Sequence, residues 1–380
     1  MYKLRRRRAG PAAIPLLRSN PHIPASAEHA SIEILSTLKA LEYQPKIDIQ
    51  SLAGAPREYI GKGGSFRVEK AYIGDGLGQL PRAVVIKHPL HVQDNVPREH
   101  KWKDIRLEVQ ALLHPPIAAC RNIVDLLTIG WEAETVEDVQ PILVMPYATF
   151  GTLGSFLLNF DPPNSWRYAV SFDIACALDV LHGCGIVHGD LKSENVLVFF
   201  EDSRPLAKLS DFGCSIASPR SFEKIAAGTP PWNCPEWRDV ITKENLLRTD
   251  IYSFGLLVWR ILSKVPDPFQ VLDSFAGISD SMEAAVEKMK SSKDDRLLEE
   301  IKQSLRANDT SPSTTQLLEE TLNNSIRHNP SQRDLAKCLA SLEALLKLQS
   351  EDAMYVSLYL PTAIWFSDSM VAHPSNMKIK

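Results

Sequence analysis

HGDLKSENVLVFFEDSRPLAKLSDFG, residues 188–213, is the stretch from which the fold can be inferred. It places a carboxylate, an amine and an amide within six residues, at Asp190, Lys192 and Asn195. A carboxylate can accept a proton, an ammonium group can neutralise a phosphate, and an amide oxygen can bind a hard cation. This spacing therefore points to phosphate and metal chemistry.

The remainder of the stretch predicts a β-hairpin. Residues 196–200 and 206–210 are short apolar runs, and the sequence EDSRP between them is rich in turn-forming residues. Such a hairpin would bring Asn195 and Asp211 side by side at its open end. An amide and a carboxylate would then be available together for a metal ion.

Both ends of the stretch resemble motifs of the protein kinase family. HGDLKSEN, residues 188–195, resembles the catalytic loop, and DFG, residues 211–213, resembles the metal-binding motif. In that family the first Asp, here Asp190, accepts or orients the proton of the substrate hydroxyl, while the Asn and the second Asp, here Asn195 and Asp211, hold magnesium against the phosphates of ATP. The resemblance implies an α+β, two-lobed protein kinase-like fold, with a small β-rich N-terminal lobe and a large α-helical C-terminal lobe.

A glycine-rich segment, YIGKGGSFRV at residues 59–68, resembles the phosphate-binding loop of the same family. Glycines let backbone amides approach phosphate oxygens without a side chain in the way. The candidate nucleotide contacts are Gly61, Gly63, Gly64 and Val68. Phe66 departs from the family pattern, because it occupies the place of the third glycine.

The run AVVIK, residues 83–87, resembles the third strand of the family. The resemblance implies that Lys87 holds the α- and β-phosphates and pairs with a glutamate on the next helix. The helical segment 97–113 offers both Glu99 and Glu108. We choose Glu108, because it directly precedes the apolar helical pattern, as the glutamate of the family does.

PILVMPYA, residues 141–148, resembles the fifth strand and hinge, whose backbone hydrogen-bonds the adenine ring in the family. Met145 would guard the deep part of the pocket, and Ala148 would lie in the hinge. Strand-rich patterning changes to helix-rich patterning here, so we place the lobe boundary after residue 147. The predicted domains are a disordered basic leader (1–30), an N-terminal extension with a short helix (31–54), the N-terminal lobe (55–147), the C-terminal lobe (148–350) and a C-terminal tail (351–380).

Helical periodicity is clear in the second half of the chain. Residues 165–183 predict an amphipathic helix, and residues 335–348 predict a last helix. Residues 249–259 are apolar nearly all round, which is typical of a helix at the centre of a large lobe. We expect Thr249 to cap this helix and Asp250 to lie in its first turn, where an anion is favoured.

Residues 227–236, AGTPPWNCPE, resemble the stretch that shapes the substrate groove of protein kinases. The resemblance implies a structural ion pair between Glu236 and Arg333. Gly189 departs from the family, which commonly has an Arg there that binds a phosphate of the activation segment. Because glycine carries no donor, we expect activity not to require a phosphate at this position.

Charge distribution limits the classes of partner. Hydrophobic residues make up 44% of the 380 residues and charged residues 23%, which is typical of a globular protein. Residues 1–27 hold six basic and no acidic residues, so the net charge of −4 corresponds to −10 over the other 353 residues. This balance argues against a nucleic-acid-binding surface on the folded part.

The cysteines and the hydropathy indicate the compartment. None of the six cysteines forms a C-x-x-C pair, which fits a reducing environment. No apolar run reaches the roughly 18–20 residues that span a bilayer. We expect a cytoplasmic protein, and the arginine cluster at residues 5–8 leaves a nuclear location open.

The resemblance implies a protein serine/threonine kinase that uses ATP and Mg²⁺ and phosphorylates a protein substrate. Lys192, two residues after the catalytic Asp, is the choice of the Ser/Thr type. The alternative is a catalytically weak or inactive pseudokinase that acts as a signalling or binding module, which Phe66 and Gly189 favour. A small-molecule phosphotransferase of related fold is a third possibility, against which the groove stretch argues.

Overall fold

The structure is a computed structural model of the chain. It describes residues 34–39, 43–52, 54–63, 66–74, 82–90, 98–135, 138–217, 222–223, 225, 228–265, 269, 282–306 and 311–359. The predicted leader, Gly64 of the predicted phosphate-binding loop and residues 360–380 of the predicted tail lie outside the described residues.

The chain forms two compact units. Unit 1 comprises the described parts of residues 1–118 and 125–147, and unit 2 those of residues 119–124 and 148–380. Residues 119–124, which the sequence predicts in the N-terminal lobe, belong to unit 2. The reason is a pair of backbone hydrogen bonds, from Val124 N–H to Leu209 O at 2.9 Å and from Leu209 N–H to Asn122 O at 2.8 Å.

Unit 1 is built on a five-stranded antiparallel sheet in the order β1-β2-β3-β5-β4. Its elements are α1 (residues 34–39), a 3₁₀ helix (Ile49–Leu52), β1 (Arg57–Lys62), β2 (Phe66–Ile73), β3 (Arg82–Pro89), α2 (Arg98–Leu112), α3 (Pro115–Ala118), β4 (Thr128–Thr135) and β5 (Asp138–Pro146). The register places Val68 opposite Lys87, and Lys87 opposite Leu143.

The N-terminal extension is part of the core of unit 1. Leu52, which is 2% exposed, packs with the buried strand residues Val84 and Ile142, and Ile49 packs against the same cluster. A Cβ added at Gly130 of β4 would lie 2.6 Å from Ile49 Cδ1, so the extension approaches the sheet as closely as a glycine allows. The extension therefore closes one face of the sheet.

Unit 2 is predominantly helical. Its elements are α4 (Leu153–Asn159), α5 (Asn164–Gly183), β6 (Ile186–Val187), a 3₁₀ helix (Ser193–Asn195), β7 (Val196–Glu201), β8 (Arg204–Leu209), β9 (Ile216–Ala217), β10 (Phe222–Glu223), β11 (Ile241–Thr242), α6 (Lys243–Leu262), α7 (Met282–Lys290), α8 (Arg296–Arg306), α9 (Pro312–Asn323), a 3₁₀ helix (Pro330–Gln332) and α10 (Leu335–Tyr359). With the sheet of unit 1, these helices confirm the predicted α+β class.

The predicted hairpin and the predicted amphipathic helix are both present. Strands β7 and β8 pair antiparallel, with Val196 opposite Leu209 and Glu201 opposite Arg204. Helix α5 covers the predicted segment and buries an apolar face. The last helix, α10, continues eleven residues past its predicted end at residue 348, so the first nine residues of the predicted tail are helical.

None of the described helices is both long and apolar enough to cross a bilayer.

The predicted start of the central helix is wrong. Helix α6 begins at Lys243, after Thr242, rather than at Thr249. The preceding residues KENLLR are good helix formers and bury Leu246, so they extend the helix backwards by almost two turns. Thr249 therefore lies inside the helix, where its Oγ1 donates a hydrogen bond to Leu246 O at 2.6 Å. Asp250 also lies in the interior, and its carboxylate serves the catalytic loop described below.

Candidate active site

In unit 1, the structure brings Lys87 of β3 and Glu108 of α2 into an ion pair. Lys87 Nζ donates to Glu108 Oε1 at 2.6 Å. The Glu108 side chain is fully buried, and the Lys87 side chain is 13% exposed. The ring of Phe66 lies 4.9 Å from Lys87 Nζ, a cation–π distance. The ammonium group is therefore held between a carboxylate and an aromatic face.

The glycine-rich turn joins β1 to β2 in unit 1. Gly61 pairs with Val68, and Gly63 N–H donates to Phe66 O at 2.8 Å. Phe66 is 4% exposed, so the residue at the third glycine position packs inward. Since Val68 lies opposite Lys87, the predicted contacts Gly61, Gly63 and Val68 are close to that lysine along the sheet.

Met145, the predicted guard of the deep pocket, and Ala148 of the predicted hinge are both buried. Met145 is 2% exposed and lies opposite Val85 of β3 in unit 1. Ala148, which begins unit 2 after residue 147, is 5% exposed, and its carbonyl accepts a hydrogen bond from Gly151 N–H at 3.1 Å. A small residue there fits the turn that leads into α4.

In unit 2, the catalytic-loop residues form a closed triangle of polar contacts. Lys192 Nζ donates to Asp190 Oδ2 at 2.6 Å and to Thr229 Oγ1 at 2.9 Å. Thr229 Oγ1 in turn donates to Asp190 Oδ1 at 2.7 Å. Both oxygens of the Asp190 carboxylate are thus oriented, although the side chain is still 11% exposed. The Asp190 carboxylate can therefore accept a proton from a hydroxyl group, and the positively charged Lys192 ammonium group lies beside it.

Asn195 fits the role of a hard-cation ligand. Its Nδ2 donates to Asp190 O at 2.8 Å and to Asp190 Oδ2 at 3.3 Å, which leaves Oδ1 as the available acceptor. Its backbone carbonyl accepts from Ser210 N–H at 2.9 Å, so the start of the hairpin is tied to its end, next to Asp211. Nowhere in the described part of the chain do three His, Cys, Asp or Glu side chains meet as a metal site. The resemblance predicts that a magnesium ion would be held by the side-chain oxygens of Asn195 and Asp211 together with phosphate oxygens.

The backbone of the catalytic loop is anchored by Asp250 from α6. His188 N–H donates to Asp250 Oδ2 at 2.7 Å, and Gly189 N–H donates to Asp250 Oδ1 at 3.0 Å. His182 Nε2 lies 3.1 Å from Asp250 Oδ2. Burial alone would raise the pKa of Asp250, but its contacts with these three residues outweigh burial and lower the pKa. The carboxylate is therefore kept ionised inside the protein.

His188 packs as a scaffold residue. It is fully buried, its ring lies 5.3 Å from that of Phe212, and its Nε2 lies 3.1 Å from Ser210 O. Asp190 N–H donates to His188 Nδ1 at 3.4 Å. The tautomer with hydrogen on Nε2 satisfies both contacts. The imidazole thus joins the catalytic loop to the hairpin end and does not face a reacting group.

Two backbone conformations near the site are unusual. Asp211 has a φ of +66°, a left-handed conformation that is uncommon outside glycine and is typical of functional sites. Gly189 has a φ of +79°, and a Cβ at this position would lie 2.7 Å from Cys214 O. The residue that replaces the arginine of the family therefore has no room for a side chain unless the backbone of residue 214 shifts.

A sequence model described as "Protein kinase domain" matches residues 56–339, which is well over half of the chain. The chain belongs to the protein kinase domain family. The match ends at residue 339, inside α10, and begins four residues after Leu52 of the N-terminal extension.

Several curated relatives carry kinase names. "Probable serine/threonine-protein kinase drkB" of Dictyostelium discoideum is 29% identical over 312 residues, which are 79% of this chain and 38% of the relative. "Probable serine/threonine-protein kinase drkD" of the same organism is 31% identical over 181 residues, 43% of this chain and 14% of the relative. "Probable serine/threonine-protein kinase PBL8" of Arabidopsis thaliana is 31% identical over 221 residues, 55% of this chain and 49% of the relative. The chain spans less than two thirds of the length of each relative.

Some residues of this kinase site were not predicted from the sequence. The sequence marks Thr229 only as part of the groove stretch, yet this residue contacts both Asp190 and Lys192. No sequence pattern marks His182, which contacts Asp250. The predicted ion pair between Glu236 and Arg333 is confirmed, with Arg333 Nη2 donating to Glu236 Oε2 at 2.9 Å. The position of Thr229 in the GTPP sequence of the groove stretch was the signal that could have indicated its place in the site.

Proposed function

We propose that this chain is a protein serine/threonine kinase, which transfers the γ-phosphoryl group of ATP to a Ser or Thr hydroxyl of a protein. The observation that carries the proposal is the triangle of Asp190, Lys192 and Thr229, in which a carboxylate is oriented by an ammonium group and a hydroxyl. The kinase names of the relatives give further support for a Ser/Thr substrate.

In the proposed reaction, the substrate hydroxyl oxygen attacks the γ-phosphorus, and the bond from that phosphorus to the β–γ bridging oxygen breaks to release ADP. Asp190 would orient the hydroxyl and accept its proton. Lys192, 2.6 Å from Asp190, would stabilise the negative charge of the transferring phosphoryl group. Thr229 would keep both side chains in place, since it bonds to each of them.

The family resemblance assigns the residues that would contact the nucleotide and the metal. Lys87, fixed by Glu108, would contact the α- and β-phosphates. Asn195 and Asp211 would hold magnesium, which neutralises phosphate charge when it is bound. The glycine-rich turn would supply backbone amides to the phosphates.

Transfer of labelled phosphate from ATP to a generic protein, in the presence of Mg²⁺, tests the proposal. Wild type should label the substrate, and Asp190→Asn should lower the rate by at least about a hundredfold because the proton acceptor is lost. Phosphoamino-acid analysis should give phosphoserine or phosphothreonine. Calorimetry of Mg-ATP binding provides the control, since the isosteric Asp190→Asn change should leave binding intact.

Two outcomes would contradict the enzyme proposal. One is equal labelling by wild type and Asp190→Asn, which would indicate a contaminating kinase. The other is clear Mg-ATP binding by wild type without any transfer, which would favour the pseudokinase alternative. Phosphotyrosine alone would contradict the Ser/Thr assignment but not the kinase proposal.

We also propose that activity does not require a phosphorylated activation segment. Gly189 provides no donor for a phosphate, and its φ and its closeness to Cys214 O disfavour any side chain there. Phosphatase-treated wild type and a variant with Ser215, Ser218 and Ser221 replaced by Ala should keep their rate within about twofold. Thr229 must be left intact because it contacts Asp190. Loss of activity in both samples, with the fold intact by circular dichroism, would contradict this.

A further inference from the structure

The stretch that the sequence relates to the substrate groove is fixed to the rest of unit 2 at three places. We call residues 228–236 the substrate segment. Near its start, Thr229 bonds to Asp190. At its end, Glu236 pairs with Arg333. Its middle is held by Lys290, the last residue of α7, which matches no motif and is 54 residues further along the chain than Glu236.

Lys290 contacts the substrate segment through several oxygens at once. Its Nζ donates to Pro231 O at 2.5 Å and to Asn233 O at 2.8 Å. Asn233 Oδ1 lies 3.3 Å away, and Glu287 Oε1, one turn earlier on α7, lies 3.1 Å away. Asn233 Nδ2 also donates to Glu287 Oε1 at 3.3 Å, so the three side chains form a closed group. An ammonium group has three N–H donors, and here four oxygens surround them.

The Lys290 side chain is completely buried, whereas the Glu287 side chain is 37% exposed. Burial lowers the pKa of the Lys290 ammonium group, and the carboxylate of Glu287 partly offsets this effect. Burying an ammonium group is costly unless its donors are satisfied, so the carbonyls of Pro231 and Asn233 are needed to retain it. The base of the lysine is also fixed, because its own carbonyl lies 3.1 Å from His328 Nδ1.

The contacts of Lys290 define the position of Trp232. Two carbonyls, one on each side of this residue, converge on one nitrogen atom, which restricts the backbone from Pro231 to Asn233. The Trp232 ring packs edge-on against Phe269, with centroids 6.0 Å apart. Trp232 N–H donates to Thr229 O at 2.8 Å, so this part of the segment leads directly to the residue that contacts Asp190.

We propose that Lys290 is a positioning residue, which holds the substrate segment in the shape that receives the protein substrate beside Asp190. The proposal rests on the proposed protein kinase function. Lys290 is too enclosed to touch a substrate itself, so its effect passes through Pro231 and Asn233. Loss of the clamp should therefore weaken binding of the protein substrate more than it affects ATP or the chemical step.

Steady-state kinetics of Lys290→Met test this inference, since methionine keeps the length and apolar character of the side chain but has no donor. The KM for the protein substrate should rise about tenfold, because one charged group with several hydrogen bonds is lost. The KM for ATP should stay within about twofold. A lysine that acts only through global stability would instead lower the active fraction, and hence the apparent kcat, without a change in either KM.

Lys302→Met is the matched control. Lys302 Nζ pairs with Glu299 Oε1 at 3.0 Å, with the same three-residue spacing that Lys290 has to Glu287, but on α8. Both KM values of this variant should stay within about twofold of wild type. An equal rise in the protein KM for Lys290→Met and Lys302→Met would overturn the proposal.

Glu287→Gln provides a second variant that is expected to fold, because that side chain is partly exposed. The amide can still accept a hydrogen bond from Lys290 but no longer carries the charge, so the protein KM should rise by about two- to threefold. If Lys290→Met fails to fold, this smaller rise with an unchanged KM for ATP still decides the matter. An unchanged protein KM in soluble, folded Glu287→Gln and Lys290→Met overturns the inference.

Hydrogen exchange separates failure of this inference from failure of the proposed function. The amides of Trp232 and Trp237 are bonded within turns of the substrate segment and its exit, to Thr229 O and Cys234 O. In Lys290→Met these amides should exchange at least about tenfold faster, while that of Val198 in β7 should not change. If wild type transfers no phosphate, the kinase proposal and the effect on substrate both fail, while faster exchange would still establish the clamp. Unchanged exchange in Lys290→Met would overturn the clamp even in an active kinase.

Discussion

In unit 2, the side chains of Lys192, Thr229 and Asn195 contact Asp190, whereas in unit 1 the ammonium group of Lys87 meets a carboxylate carried by a separate helix. The catalytic-loop contacts connect residues close along the chain or joined by the hairpin and the substrate segment. The contact of Lys87 with Glu108 depends on how α2 lies against β3. The ring of Phe66 supports the lysine from the glycine-rich turn.

This difference predicts which substitutions should most disturb the orientation of Asp190 and of Lys87. The Asp190 carboxylate has several partners, so removal of one partner should weaken its orientation only in part. The backbone that carries Asp190, however, relies on the buried carboxylate of Asp250. In the Lys87 pair the ammonium group meets the fully buried carboxylate of Glu108, so loss of that charge should disturb the position of Lys87 Nζ.

Asp250→Ala should give the largest loss of stability. The substitution leaves the amides of buried His188 and partly buried Gly189 without their acceptor and removes the partner of His182. We expect the free energy of unfolding to fall by about 4 kcal/mol, as for other broken buried charge pairs. Urea denaturation measures it. Asp250→Asn, which keeps one acceptor oxygen, should lose about half as much, and a loss below about 1 kcal/mol for Asp250→Ala would contradict the anchoring role.

Glu108→Gln should reduce catalysis strongly with a smaller effect on stability. The variant removes the charge that fixes Lys87 Nζ, in a position that is fully buried. We expect kcat/KM for ATP to fall about a hundredfold, which corresponds to about 2.7 kcal/mol of transition-state stabilisation. Glu99→Gln serves as the control, because Glu99 is the other glutamate that the sequence offers for this pair. A larger effect of Glu99→Gln would mean that the active enzyme uses that residue.

How much of the structure could be predicted from the sequence depends on whether a feature rests on local patterns or on long-range contacts. The hairpin and the helix before it follow from local patterns, since turn residues and apolar periodicity act over a few residues. The α+β class was implied by the family resemblance. The roles of Asp190, Asn195 and Asp211 as catalytic and metal-binding groups stay predictions that rest on the resemblance, and so does the cytoplasmic or nuclear location. The predicted start of α6 is wrong because Thr249 resembles a helix cap. The residues before Thr249 include helix formers and the buried Leu246, so the helix begins earlier.

Long-range contacts could be predicted only where the family resemblance supplied them, as for Lys87 with Glu108. The contact of Thr229 with Asp190 spans 39 residues, and that of Lys290 with Asn233 spans 57. A lysine at the end of a polar helix gives no signal of burial, because its composition is that of a solvated surface. The confirmed pair of Glu236 and Arg333 spans 97 residues and could be predicted only through the family resemblance.

Leu52→Ala tests whether the N-terminal extension belongs to the folded core. Leu52 is 2% exposed and packs with the sheet residues of unit 1, although the family match begins only at residue 56. We expect the free energy of unfolding to fall by about 2–3 kcal/mol, as for other buried leucines. Ile60→Ala, at a strand residue that is 42% exposed, should cost less than about 1 kcal/mol. Equal losses would mean that the extension does not contribute to the core.

The smallest effect concerns Glu132, which forms a charged cluster with His88 and Arg57 on the sheet of unit 1. A hydrogen bond from His88 lowers the pKa of Glu132 to about 2, with Arg57 adding to the effect and burial opposing it. A carboxyl group whose folded pKa is depressed stabilises the protein above its ordinary pKa of 4.5 and loses that contribution as pH falls towards 2. Glu132→Gln should therefore be less stable than wild type at pH 6, and the difference should shrink between pH 5 and pH 2.

Urea denaturation of both proteins over that pH range measures how the difference in their free energies of unfolding shrinks. At pH 6, 1 M salt should also reduce this difference, because the Glu132 side chain is 32% exposed. Glu343→Gln is the control, since Glu343 forms an ion pair with Lys347 on the exposed side of α10 and should show no such convergence. If the difference in free energy of unfolding between wild type and Glu132→Gln stays constant across this pH range, the packing of Glu132, not its charge, stabilises the protein. Convergence would show that the charge of Glu132 stabilises this cluster in unit 1.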